Sequence, residues 1–185
     1  MPGKDLKKDT TLLTSKILLE IASHEGAVLE AYLDSRGIWT WGIGVTNASG
    51  HTVNRYKDFP QTLQKVLEIY KWLLETRYLP QVLSAFRGYD LKENELAAAL
   101  SFHYNTGAID RASWVKSFIN GDKTKARDQF LQWNKPAEIM ERRRKEAALL
   151  FDGVWSGDGR INVYPVKKPS YTPDWKNVRR VVMTL

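Results

Sequence analysis

The chain has 185 residues, no cysteine, and three histidines (His24, His51, His103) set far apart. This excludes a disulfide scaffold, a zinc finger, an iron–sulfur centre and a cysteine nucleophile, and suggests no metal site. Hydrophobic residues at 43% and charged residues at 26% describe a globular protein of one domain or two small lobes. Twenty-eight Lys and Arg against twenty-one Asp and Glu leave a net charge of +7, a field that attracts polyanions in general, whether nucleic acid, anionic lipid or an acidic cell envelope. The basic runs at Lys4, Lys7 and Lys8, at Arg142-Arg143-Arg144-Lys145, and at Lys167, Lys168, Arg179 and Arg180 read equally well as solvated faces and tails. No stretch reaches the ~18 apolar residues of a membrane span, and the N-terminus lacks the apolar core of a signal peptide. The expectation is a protein made in the cytoplasm that needs an external route to any target beyond the membrane.

In chain order, residues 1–13 read as a polar lead-in. Thr14 is placed as a helix N-cap, apolar residues at Ile17, Leu18, Ile21 and Ala22 keep helical spacing to about Glu25, and Gly26 is the stop. Glu20 falls off the apolar stripe and reads as exposed, whereas Glu25 falls on it. Asp34-Ser35-Arg36-Gly37 is a turn signal, and Ile38 to Val45 reads as a strand. On that strand Thr40 shares a face with Gly42 and Gly44, a side left open to a backbone or ligand, while Trp39 and Trp41 point to the packed side. Asn47 to Gly50 is a second turn, and His51-Thr52-Val53 a short third strand.

The remainder reads as helical to residue 151. A helix opens at Pro60 and runs to about Tyr78; Asp90-x-x-Glu93 resembles a capping box for a helix ending near Gly107. Shorter helices fall at about 111–119 and 123–132, and a last long one runs from Pro136 through Phe151. Beyond it, Ile161, Val163 and Tyr164-Pro165-Val166 suggest a strand, and Trp175 with Val178, Val181 and Val182 a packed end. This tail is too short for an independent core and is expected to strap across the large lobe.

Two carboxylates stand out. Glu25 on the core side of its helix is costly to ionise, which suits a general acid; the alternatives are a frayed helix-end residue or the partner of a buried arginine. Asp34 at the first position of a turn commonly bonds its own backbone. Yet a helix end followed by a tight hairpin can bring two carboxylates across one cleft, and carboxyl groups in unlike environments are what glycoside hydrolysis uses.

The run His24-Glu25-Gly26-x-x-Leu29-x-x-Tyr32-x-Asp34-x-x-Gly37-x-x-Thr40-x-Gly42-x-Gly44 resembles the signature of phage-type lysozymes, glycoside hydrolase family 24. Ser101-Phe102-x-x-Asn105-x-Gly107, Asn120-Gly121-Asp122, Trp133 and Arg142-Arg143-x-x-Glu146 follow in the family's order. The resemblance covers about residues 14–151. It implies an α+β, mostly helical, two-lobed fold: a small catalytic lobe with a β-hairpin (14–59), a long connecting helix (60–79), a helical lobe (80–151) and a C-terminal extension (152–185). It implies a muramidase that cleaves the β-1,4 bond between N-acetylmuramic acid and N-acetylglucosamine. Glu25 would be the general acid; Asp34 would position or deprotonate the attacking water, with Thr40 helping to hold it, and the outcome would be inversion. Arg142 or Arg143 would reach Glu25, with the other arginines facing solvent.

Tyr32, Asn105 and Trp133 are the candidate sugar contacts. Asn105 either lines the cleft or helps end its helix, and Trp133 either stacks on sugar or covers the core of the large lobe. His103 reads as a satisfied, partly buried histidine. The expected partner is peptidoglycan, with no metal, no cofactor, no nucleic acid and no stable membrane insertion. The setting implied is a monomeric phage or prophage endolysin that waits in the host cytoplasm for a holin-type lesion before acting on the wall in the periplasm. The rivals are a wall- or nucleic-acid-binding domain without catalysis, which has no need of the trio Glu25, Asp34 and Thr40, and a lytic transglycosylase, which has no need of a water-holding Asp34.

Overall fold

The computed structural model describes residues 12–183. Lys4, Lys7 and Lys8 and most of the polar lead-in lie outside them. Helix α1 (Ser15–Glu25) starts where expected, with Thr14 Oγ1 accepting the Ile17 N–H at 3.2 Å. It stops at Gly26, whose φ of 73° takes the backbone out of the helix. Ile17, Leu18, Ile21 and Ala22 are buried as the spacing requires. Glu20 corrects the sequence reading: it is 2% exposed.

Three short antiparallel strands follow, β1 (Val28–Leu33), β2 (Trp39–Gly42) and β3 (Val45–Thr46), in that order across the sheet. The expected continuous strand from Ile38 to Val45 is two strands, because Gly42 (φ 64°) and Gly44 (φ 67°) adopt left-handed backbone and reverse the chain. The third strand is therefore Val45–Thr46. At the expected 51–53, Asn47 Oδ1 takes the Val53 N–H at 2.8 Å and the chain turns away. At Gly42 and Gly44 the glycine-lined side is filled by the chain itself. A Cβ on Gly42 would lie 3.1 Å from Val66, and one on Gly44 only 2.8 Å from the Tyr104 hydroxyl. That hydroxyl donates to the Ile43 carbonyl, tying the sheet to the helical lobe. The tryptophan side packs as expected, with Trp41 fully buried and stacked on Tyr56 at 4.2 Å.

Helix α2 (Leu63–Leu73) begins after Thr62, which caps it through Lys65 N–H at 3.1 Å, and not at Pro60. It passes through one wide turn (Leu74–Tyr78) into α3 (Leu79–Ala85), so this helical segment is longer than expected. Helix α4 (Glu93–Thr106) is capped by Glu95 Oε2 accepting Lys92 N–H at 2.9 Å, which moves the capping pair two residues on from Asp90 and Glu93. It ends at Gly107 as expected. Helices α5 (Ser113–Ile119), α6 (Lys123–Leu131) and α7 (Met140–Asp152) complete the large lobe. Its core is aromatic: Trp114 meets Phe102 and Phe130 edge-on at 5.2 and 4.9 Å, an arrangement the ring quadrupoles favour.

The extension forms two ribbons, β4 (Arg160–Val163) with β7 (Arg179–Val182) and β5 (Val166–Lys167) with β6 (Thr172–Pro173). It straps the small lobe, not the large one. Ala27 N–H donates to Asn162 O (2.8 Å), Tyr164 N–H to Ala27 O (2.9 Å) and Leu33 N–H to Tyr171 O (2.7 Å). The buried Glu20 carboxylate is the anchor, taking Ser156 N–H (3.1 Å), Ser156 hydroxyl (2.6 Å) and Gly157 N–H (2.6 Å). Burial opposes its ionisation, but those bonds and the nearby His24 outweigh it and hold its pKa at about 2. The end of the chain is not packed as expected: Trp175, Val178 and Val182 are exposed, and of that group Val181 alone rests against the core.

Candidate active site

Glu25 is the last residue of α1, where the helix dipole disfavours a carboxylate. Arg142 compensates, its Nη1 lying 2.5 Å from Glu25 Oε1. The alternative of an arginine-paired Glu25 is thus the one realised, in place of a carboxylate set among apolar groups. Arg142 is itself immobilised: its Nε donates to Glu146 Oε1 at 2.9 Å, and its Nη2 to the Ser101 carbonyl and hydroxyl at 3.2 Å. Ser101 closes the ring by donating to Glu146 Oε1 at 2.5 Å. Burial works against the Arg142 charge, yet Glu25 and Glu146 more than offset it and raise its pKa.

Arg143 does not reach Glu25, nor does it face solvent. It is fully buried, pairs with Glu146, and sends its Nε to the Trp133 carbonyl (2.8 Å) and its Nη2 to Asn105 Oδ1 (2.7 Å). Burial lowers its pKa in spite of Glu146. Arg144 is exposed.

Four tyrosine hydroxyls feel the charge of Glu25. Tyr70, fully buried, and Tyr104, half-buried, have hydroxyl pKa values pushed well up, mainly by desolvation and further by the negative charge of Glu25. Tyr78 is raised by the same two causes. Tyr32 reaches about 12, through burial and then the charges of Asp34 and Glu25 together, so this one hydroxyl senses both carboxylates. Asp34 opens its turn as expected, with Oδ1 accepting Arg36 N–H (2.8 Å) and Ile38 N–H (2.9 Å) and Oδ2 3.8 Å from the Arg36 guanidinium. Thr40 pairs with Tyr32 across β1 and β2, which puts both side chains on one face of the sheet. Its hydroxyl donates to Ile38 O at 3.0 Å.

Tyr32 is thus the link among these residues: its hydroxyl feels the charges of both Glu25 and Asp34, and Thr40 lies beside it on the sheet. Asn105 is exposed, its amide oxygen fixed by Arg143; Gly107 N–H bonds His103 O to end α4, so the Asn105 side chain does not cap the helix. Trp133 sets its ring edge-on to Phe102 at 5.3 Å and is half-buried against the core. His103 is 2% exposed and satisfied, with Nε2 on Gln81 Oε1 (2.5 Å) and Nδ1 accepting Ile109 N–H (3.4 Å). Between hairpin and helical lobe lies a cavity of about 320 Å³ lined by Thr46, Arg77, Tyr78, Gln81 and His103 among others. Among the described residues, no cluster of three or more His, Asp or Glu is placed to ligate a metal.

Ser101, Glu146, Tyr70, Tyr78 and Tyr104 were not singled out from sequence as site residues. For Glu146 the signal was present in its four-residue spacing from Arg142; the tyrosines are scattered over three helical segments, and no local pattern links them.

The Phage lysozyme family model matches residues 22–147. The endolysin of Salmonella phage P22 is 30% identical over 150 residues, covering 74% of this chain and 96% of that protein. Among solved structures, the endolysin from Escherichia coli O157:H7 phage FAHEc1 superposes with a TM-score of 0.65 at 27% identity, covering 78% of this chain and 96% of the other. A mutant of P22 lysozyme superposes with a TM-score of 0.63 at 28% identity, covering 75% and 97%. With a match across more than half its length, one that takes in Glu25, Asp34 and Thr40, the chain belongs to the phage lysozyme family and is a glycoside hydrolase.

Proposed function

We propose that this enzyme is an endolysin-type muramidase, hydrolysing the β-1,4 bond between N-acetylmuramic acid and N-acetylglucosamine in peptidoglycan. The observation that carries the reading is the pair of unlike carboxylates: Glu25 clamped by a half-buried arginine, and Asp34 held by two backbone N–H groups on a turn, with Tyr32 sensing both. Protonated Glu25 donates its proton to the glycosidic oxygen as the bond to the anomeric carbon breaks. Water attacks that carbon from the opposite face, and its proton passes to Asp34, whose two backbone donors among the described residues both go to Oδ1 and leave Oδ2 to accept it.

Thr40 fits the role of water holder, since its proton is committed to Ile38 O and its lone pairs remain available to accept. Arg142 holds the Glu25 carboxylate in one orientation and neutralises the charge left after donation. Tyr32, Asn105 and Trp133 are the proposed sugar contacts; Arg143 supports the reading for the last two by fixing the Asn105 amide and the Trp133 backbone together. The net positive charge suits a substrate with anionic muramyl peptides. No helix among the described residues is long and apolar enough to cross a membrane, and release to the wall is assigned to a lesion made by another protein of the holin type.

The test is digestion of purified peptidoglycan followed by mass spectrometry and NMR of the first-formed anomer. Reducing-end products of inverted configuration are expected. Anhydro-muramyl ends would reassign the enzyme as a transglycosylase, and retained configuration would make Asp34 a nucleophile.

A further inference from the structure

The family match stops at residue 147, yet residues beyond it stand beside Asp34. A cavity of about 340 Å³ is lined by Tyr32, Asp34 and Ser35 from the hairpin and by Thr172, Pro173 and Trp175 from the extension. We propose that Trp175 and the β5–β6 ribbon add a sugar-ring subsite to the cleft, filled by a pyranose of the glycan strand beyond the scissile linkage. The proposal rests on the glycan-cleaving reading above.

Four observations carry it. Trp175 is 63% exposed, held edge-on by Tyr164 at 4.8 Å, so an indole face stays open to pack against the apolar C–H face of a pyranose. The Asp34, Ser35 and Thr172 side chains supply polar partners for ring hydroxyls at the cavity rim, and the volume sits at the lower end of small-ligand sites, roughly 300–1,000 Å³. The wall is pre-set. Tyr171 O takes Leu33 N–H at 2.7 Å, its ring meets Trp39 at 5.4 Å, and its hydroxyl donates to the Asp58 carboxylate at 3.0 Å. Finally, among the described residues no Lys or Arg lines the cavity to receive the carboxylates of a stem peptide, which favours the saccharide as occupant.

The experiment compares wild type, Trp175→Ala and Trp175→Phe on glycan strands graded by length, both stripped of stem peptides and bearing them, with Thr172→Arg as a second way to close the cavity. For Trp175→Ala, the ratio of kcat/KM on long strands to that on the shortest cleaved strand should fall about five- to tenfold, in line with the loss of one stacking contact. Trp175→Phe should lose less, and Thr172→Arg should reproduce the length-dependent loss without removing the tryptophan. A ratio unchanged in both Trp175→Ala and Thr172→Arg overturns the subsite while leaving the hydrolase reading intact. A loss seen only on peptide-bearing strands overturns it in favour of the stem peptide. Failure of wild type to cleave any glycan would overturn the enzymatic reading itself, and the subsite with it.

Discussion

Replacing Glu20 by Gln tests how the extension is fastened to the lobe that carries the site. The Glu20 carboxylate accepts three hydrogen bonds from Ser156 and Gly157, and its pKa falls from 4.5 to about 2. A folded-state pKa depressed in this way adds stability that is complete above the unfolded value and is lost as pH falls through the folded one. The shift corresponds to about 3 kcal/mol at pH 7, and linkage leaves about half of that at pH 3. Gln keeps the shape but cannot carry the charge, and its amide nitrogen opposes donors where an oxygen accepted them, so a loss of about 3 kcal/mol is expected at neutral pH. Urea unfolding of both proteins at pH 7 and pH 3 reads the difference directly. A gap below about 1 kcal/mol at pH 7, or one that does not shrink toward pH 3, would refute the anchor.

Two further outcomes follow from the same contacts. Arg142→Met removes the clamp on Glu25 without filling the cleft, and kcat on peptidoglycan should fall on the order of 100-fold, with Arg142→Lys recovering part of it; equal kcat for Arg142→Met and wild type would dismiss the clamp. Gly44→Ala forces a side chain onto left-handed backbone and against the Tyr104 hydroxyl at 2.8 Å, displacing its bond to Ile43 O. The expected cost is about 2–3 kcal/mol in urea unfolding, and a neutral substitution would mean that this contact does not join sheet to helices.

What was legible from the sequence was local. The cap at Thr14, the stop at Gly26, the Asp34 turn and the end of α4 at Gly107 are each decided by a few adjacent residues, and each stands where the sequence reading put it. Strand β1 escaped because Val28–Leu33 does not alternate apolar and polar residues. Glu20 escaped because helical spacing reveals only the stripe that faces the main core; here a tail more than 130 residues away buries a second face. Arg143 sits in a run of three arginines that reads as a solvated face, and only the rotational setting of α7 against α4 decides that the middle one is buried on Asn105 and Glu146. The glycines at 42 and 44 did signal a close approach, but its source is Val66 and Tyr104 of the same chain.

The claim on which the rest depends is that Glu25 delivers the proton that breaks the glycan. Glu25→Gln keeps the size and polarity of the side chain while removing the transferable proton. Turnover of purified peptidoglycan should drop by about a thousandfold or more, with retention on intact cell walls in a pelleting assay preserved. Turnover within tenfold of wild type, in a variant that folds and still binds walls, would contradict the assignment of Glu25 as the acid.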